Sequence, residues 1–134
     1  MLLQDNLIIV SAHYSEDLKW LRSSRYPVLV VSKLGSKQAA IPIWKYIPNR
    51  GAEASAYLTF IVNCYNQLPE WTAFIHGHKH AWHHKQGDNL KQLQMGDWKR
   101  STGFHTLNGI EYEWKQGEPK FDLLLALWPQ YFQC

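Results

Sequence analysis

The chain has 134 residues, 46% of them hydrophobic, a formal charge of +3 and two cysteines, which suits one domain able to bury its own core. Its basic residues are scattered, so a nucleic-acid partner is not expected, although the positive balance favours small anionic ligands such as phosphates. Cys64 and Cys134 form no Cys-x-x-Cys pattern and the apolar run Leu7 to Val10 is too short for a signal peptide or a membrane span, so the expectation is a soluble, cytoplasmic protein with no membrane partner.

The first predicted element is a strand over Leu7 to Ala12, a continuous β-branched apolar run of the kind covered on both faces in a parallel sheet. Ser15 then reads as the N-cap of a short helix ending near Ser23, with Glu16 and Asp17 in its first turn, where the helix dipole favours anions. A second buried-strand run, Val28 to Ser32, completes a βαβ unit. Ile41 to Ile47 alternates weakly between Pro42 and Pro48 and supports at most a short edge strand. From Ala54 a helix is expected whose apolar stripe is Tyr57, Leu58, Ile61, Val62 and Tyr65, with Asn49-Arg50-Gly51 as the turn before it, Glu53 in its first turn, Cys64 in helix packing and Pro69 beyond its end.

Trp71 to Ile75 is the next strand, followed by a helix capped by Asp88, carrying Leu90, Leu93 and Met95 and ended by Gly96. Thr102 to Asn108 is loop or short strand, and Pro119 opens a final apolar helix from Phe121 to Trp128. The sum is one α/β domain over residues 1–134, an open, mostly parallel sheet with flanking helices, Rossmann-like in layout. The apolar residues Leu123 to Trp128, Tyr131 and Phe132 imply a docking surface, so a homo-oligomer is expected.

Chemistry concentrates where the Trp71 strand ends. Five of the seven histidines lie between His76 and His84, and imidazole is both the commonest protein metal ligand and the usual acid/base group near neutral pH. On an extended strand His76 and His78 point to one side, with Gly77 allowing close approach, so the pair could chelate one ion, with His80 and then His83 or His84 converging if the chain turns helical. Zinc fits such ligands better than magnesium; the alternative is a solvated loop whose imidazoles bind anions. His13 follows the first strand and shares that rim if the two strands are parallel. Trp82 offers a stacking face. No glycine-rich phosphate loop and no Gly-x-Ser-x-Gly elbow is present, so kinase, dinucleotide and serine-hydrolase readings fall. The His-x-His-x-Asp-His pattern of metallo-β-lactamase-type hydrolases breaks at His80 and Ala81, leaving a metal-dependent hydrolase as a minor reading.

Three segments, Val10 to Leu21, Pro48 to Leu58, and Tyr65 to Pro69 running into Phe74-Ile75-His76-Gly77-His78, resemble in order and spacing a family of uncharacterised proteins known only as a domain of unknown function. The resemblance covers a core of about residues 7–108. Where that family usually carries Gly-Arg-Glu, this chain has Gly51-Ala52-Glu53, so Arg50 would have to supply the missing guanidinium. The layout of strand, Asn-x-Gly turn, long helix and strand is also similar to nucleotide-sugar glycosyltransferases of the GT-A type, with His76-Gly77-His78 where those enzymes hold Asp-x-Asp. That likeness implies a nucleotide-sugar or other phosphorylated ligand and a divalent metal, zinc or manganese, on His76, His78 and His80. It implies catalytic roles for His76, His78 and Glu53, and ligand contacts from His13, Asn49, Arg50, Gly51 and Trp82. The alternative class is a non-catalytic, degenerate binding domain.

Overall fold

The computed structural model describes residues 6–33, 40–80 and 88–107. Four strands, β1 (Leu7–His13), β2 (Val28–Ser32), β3 (Ile43–Tyr46) and β4 (Trp71–His76), form one all-parallel sheet in the order β3-β2-β1-β4. The apolar runs of β1 and β2 follow from burial on both faces. Leu7 and Ile9 pack with Leu18, Leu21, Val30, Ile75, Leu93 and Trp98 on one side. Val10 and Ala12 pack with Val31, Ala56 and Phe60 on the other.

The connection from β1 to β2 departs from expectation. Only Lys19–Ser23 is helical, as a 3-10 turn without a side-chain cap, and Ser15 is not its N-cap. The acidic side chains explain this: Glu16 turns back to accept from the backbone N–H of Tyr14 and Ser15, and Asp17 accepts from that of Lys19 at 2.9 Å. Groups that would have initiated an α-helix are spent in the loop.

The long helix α1 (Ala52–Cys64) begins ahead of the expected Ala54 and continues as a 3-10 turn, Tyr65–Gln67, before Pro69. Its buried stripe is Ala56 and Phe60, flanked by Tyr57, Ile61 and Cys64. Leu58 and Val62, expected in that stripe, are 58% and 72% exposed, and Tyr65 is exposed as well. Two neighbouring stripes satisfy the same three-and-four spacing, and small Ala56 decides between them by letting the helix lie close on β1 and β2.

Helix α2 (Asn89–Met95) agrees with its signals: Asp88 Oδ1 accepts from the N–H of Lys91 at 2.8 Å, and Gly96, at φ 80°, ends it in the left-handed conformation. The following 3-10 turn, Asp97–Arg100, buries Trp98, whose indole N–H donates to the Leu93 carbonyl at 2.9 Å. Residues 101–107 contain no strand, and the expected helix from Phe121 lies outside the described residues. Among the described residues no helix is long and apolar enough to cross a membrane.

The rotation of α1 is testable by urea unfolding. Phe60→Ala should cost roughly 3–5 kcal/mol and Leu58→Ala less than about 1 kcal/mol; equal costs would place the wrong stripe against the sheet.

Candidate functional site

The chain passes from β1 outward through β2 to β3, then crosses to β4 on the opposite side of β1. Strand order therefore reverses between β1 and β4, and in open parallel sheets such a switch point leaves a crevice beyond the carboxyl ends of the two strands. The register sets Ala12 opposite His76, so the loops leaving β1 and β4 start side by side.

Glu16 joins those loops. One carboxylate oxygen accepts from the N–H of Tyr14 at 2.7 Å and of Ser15 at 3.1 Å, while the other lies 3.3 Å from His78 Nε2. The side chain is only 10% exposed although the His78 ring is largely in solvent. Gly77 makes this possible, because a Cβ there would stand 2.9 Å from Glu16 Oε2 and 3.0 Å from the Ala12 carbonyl. The indole N–H of Trp20 donates to the Gly77 carbonyl at 3.0 Å and fixes the turn from the other side.

His13 does not contact ligand space as expected; its ring is buried. Nε2 lies 3.2 Å from the Glu16 carbonyl, which can only accept, so in the neutral ring Nδ1 accepts from the Ser32 hydroxyl at 2.9 Å. The residue positions the Glu16 loop.

A second carboxylate–imidazole pair stands at the start of α1, with Glu53 Oε1 3.4 Å from His76 Nδ1 and both side chains partly exposed. Beneath it lies Lys33, the residue after β2, which is 5% exposed. Its ammonium donates to the carbonyls of Arg50, at 2.7 Å, and Ala52 and to the Ser55 hydroxyl, and it sits 5.6 Å from the Tyr14 ring centroid. A cation under a helix N-terminus opposes the helix dipole, and those carbonyls offset the cost. The turn they stabilise is unusual: Gly51 has φ 71° and Ala52 φ 47°, a left-handed conformation that disfavours any side chain. Asn49 and Arg50 are exposed on it.

The electrostatics follow from burial and from Glu53. Burial lowers the Lys33 pKa, against the opposing pull of Glu53. Desolvation, then Glu53 and Glu16, raises that of Tyr14; burial, then Glu53 and Tyr14, raises that of Tyr57. Both phenols therefore remain hydrogen-bond donors at neutral pH.

Of the expected site residues, His76 and Glu53 are brought into contact, and Arg50 and Gly51 lie on the turn that leads into Glu53. His76 and His78, however, diverge to separate carboxylates instead of sharing an ion. His80 is exposed, and among the described residues no three His, Cys, Asp or Glu side chains are grouped to hold a metal. Trp82, His83 and His84 lie outside the described residues. Sequence reasoning gave Lys33 no role and read Tyr57 only as helix packing, while Tyr14 shares the rim position expected for its neighbour His13. The Ser32-Lys33 pair at the end of an apolar strand was the one local signal, since a polar pair there marks a buried rim position.

Two outcomes follow. Gly77→Ala should cost roughly 1–3 kcal/mol by pushing Glu16 away from the backbone N–H groups it holds, measured by chemical unfolding against wild type. For Lys33, a folded-state pKa below the ordinary 10.5 means that the unfolded chain holds the proton over the interval between the two values. Stability should therefore rise with pH across that interval relative to Lys33→Met; parallel stability curves for the two proteins would contradict the burial effect.

No curated protein and no solved structure matches the chain. Residues 8–123 match a family described as "Protein of unknown function (DUF3431)". With the match spanning most of the sequence, from within β1 past the last described residue, the chain belongs to that family of unknown function.

Proposed function

We propose that the chain is a nucleotide-sugar glycosyltransferase-like domain whose ligand occupies the crevice at the carboxyl ends of β1 and β4. The observation that carries this reading is the 3.4 Å contact between Glu53 and His76, which ties the end of β4 to the Asn49-Arg50-Gly51 turn. With the ligand so placed, an acid/base pair and an exposed guanidinium border the same switch-point crevice.

In this reading the donor diphosphate lies against Arg50 and the exposed N–H groups at the start of α1, where charge and helix dipole both favour an anion. Asn49 hydrogen-bonds the donor. His76 takes the proton of the attacking hydroxyl as its oxygen bonds the anomeric carbon and the bond from that carbon to the diphosphate breaks, the nucleoside diphosphate leaving beside Arg50. The Glu53 carboxylate stabilises the imidazolium that forms. Tyr14, held protonated, donates to a ligand oxygen. The metal expected on His76, His78 and His80 finds no three-ligand group among the described residues, and no step here uses one.

Thermal shift tests the reading directly. UDP or GDP should raise the melting temperature, and Arg50→Ala should abolish most of that rise. His76→Ala and Glu53→Gln should keep nucleotide binding but lower sugar transfer or donor hydrolysis by about 10²-fold or more. Absence of any rise with both nucleotides, or a rise with zinc alone, counts against a transferase.

A further inference from the structure

We infer that a cavity of about 430 Å³ along the outer side of β4 is a binding site for an uncharged, hydroxyl-bearing ring such as a hexose glycoside. Its volume falls within the roughly 300–1,000 Å³ usual for small-molecule pockets. One wall is the Tyr57–Phe74 pair, with ring centroids 4.9 Å apart, between α1 and β4. The Trp71–Trp98 pair, at 5.2 Å, also lines the cavity, as does Phe104, which is 73% exposed.

The chemistry of this lining selects the ligand. Aromatic faces carry partial negative charge and pack well against the C–H face of a saturated ring. Interspersed among them are groups that hydrogen-bond, including Glu70, Thr72 and His105, the last held by the Ser101 hydroxyl at 2.8 Å. A purely aromatic ligand would bury those groups without partners, at a cost. Among the described residues neither lysine nor arginine lines the cavity, so a phosphate or carboxylate entering it would lose hydration with only the imidazoles of His76 and His105 to face it and would meet the Glu70 carboxylate. A neutral ring edged with hydroxyls satisfies both demands.

His76 lines this cavity and also contacts Glu53, so the two spaces adjoin at one imidazole. Identifying the ring as the acceptor rests on the transferase reading above; the preference for a neutral sugar rests on the lining alone.

Tryptophan fluorescence provides the test, because Trp71 and Trp98 line the walls. The full chain is titrated with the methyl glycosides of glucose, galactose, mannose and N-acetylglucosamine, with indole and UDP in parallel. At least one glycoside should give a saturable change in emission. Its affinity should fall roughly tenfold in Phe104→Ala, where an exposed ring is removed without disturbing the core, and should be unchanged in Arg50→Ala. The inference is overturned if no glycoside binds wild type, if Phe104→Ala binds like wild type, or if indole binds more tightly than every glycoside. Glycoside binding by a protein that binds neither UDP nor GDP sustains this site while refuting the transferase reading.

Discussion

The parallel pairing of β1 with β4 is the constraint on which the rim depends. Because Ala12 stands opposite His76, the segments that follow, Tyr14 to Glu16 and Gly77 to His78, leave the sheet at the same height and in contact. A Cβ at position 77 would crowd that contact, which is closed by one carboxylate serving two backbone N–H groups and an imidazole. A slip of one residue would turn His76 to the opposite face, away from Glu53.

Charge is handled pairwise at this rim. Each of His76 and His78 has a carboxylate near it, and Lys33 is buried beneath the α1 turn with carbonyl and hydroxyl oxygens around its ammonium. Burying an amine without such partners is prohibitive. The arrangement braces a turn in which Ala52 holds a left-handed backbone conformation that costs a residue with a Cβ some strain. Glu53 follows that turn directly, so the Glu53–His76 pair depends on a lysine separated from it in sequence by the whole of β3.

The two spaces beside His76 differ in kind. Toward Arg50 and the start of α1 the surroundings are charged, with Lys33, Arg50 and Glu53 on or beside one turn, whereas the cavity along β4 is aromatic and among the described residues is lined by neither lysine nor arginine. Such a division suits a molecule with one charged and one neutral part, and it is a property of these side chains, not of the fold, which many unrelated activities share.

The sheet was legible from composition alone, because strands covered on both faces must be continuously apolar and Leu7 to Ala12 and Val28 to Ser32 are. Asp88 announced the start of α2 through a carboxylate able to accept from a free N–H of the first turn, and Gly96 its end through the left-handed backbone that a residue without a Cβ adopts readily. The rotation of α1 was not legible, since its helical period fits two adjacent stripes and only the space over Val10, Ala12 and Val31 chooses Ala56 and Phe60. Nor was the separation of His76 from His78: their spacing places them on one side of an ideal strand, but the strand ends at His76 and each ring turns to its own carboxylate. Local sequence thus determined which segments are strands and that imidazoles follow the last of them. Tertiary structure alone decided that His13 is buried, that Lys33 lies under the α1 turn and that Glu53 meets His76, because those contacts join residues with no fixed relation along the chain and depend on which strands become neighbours.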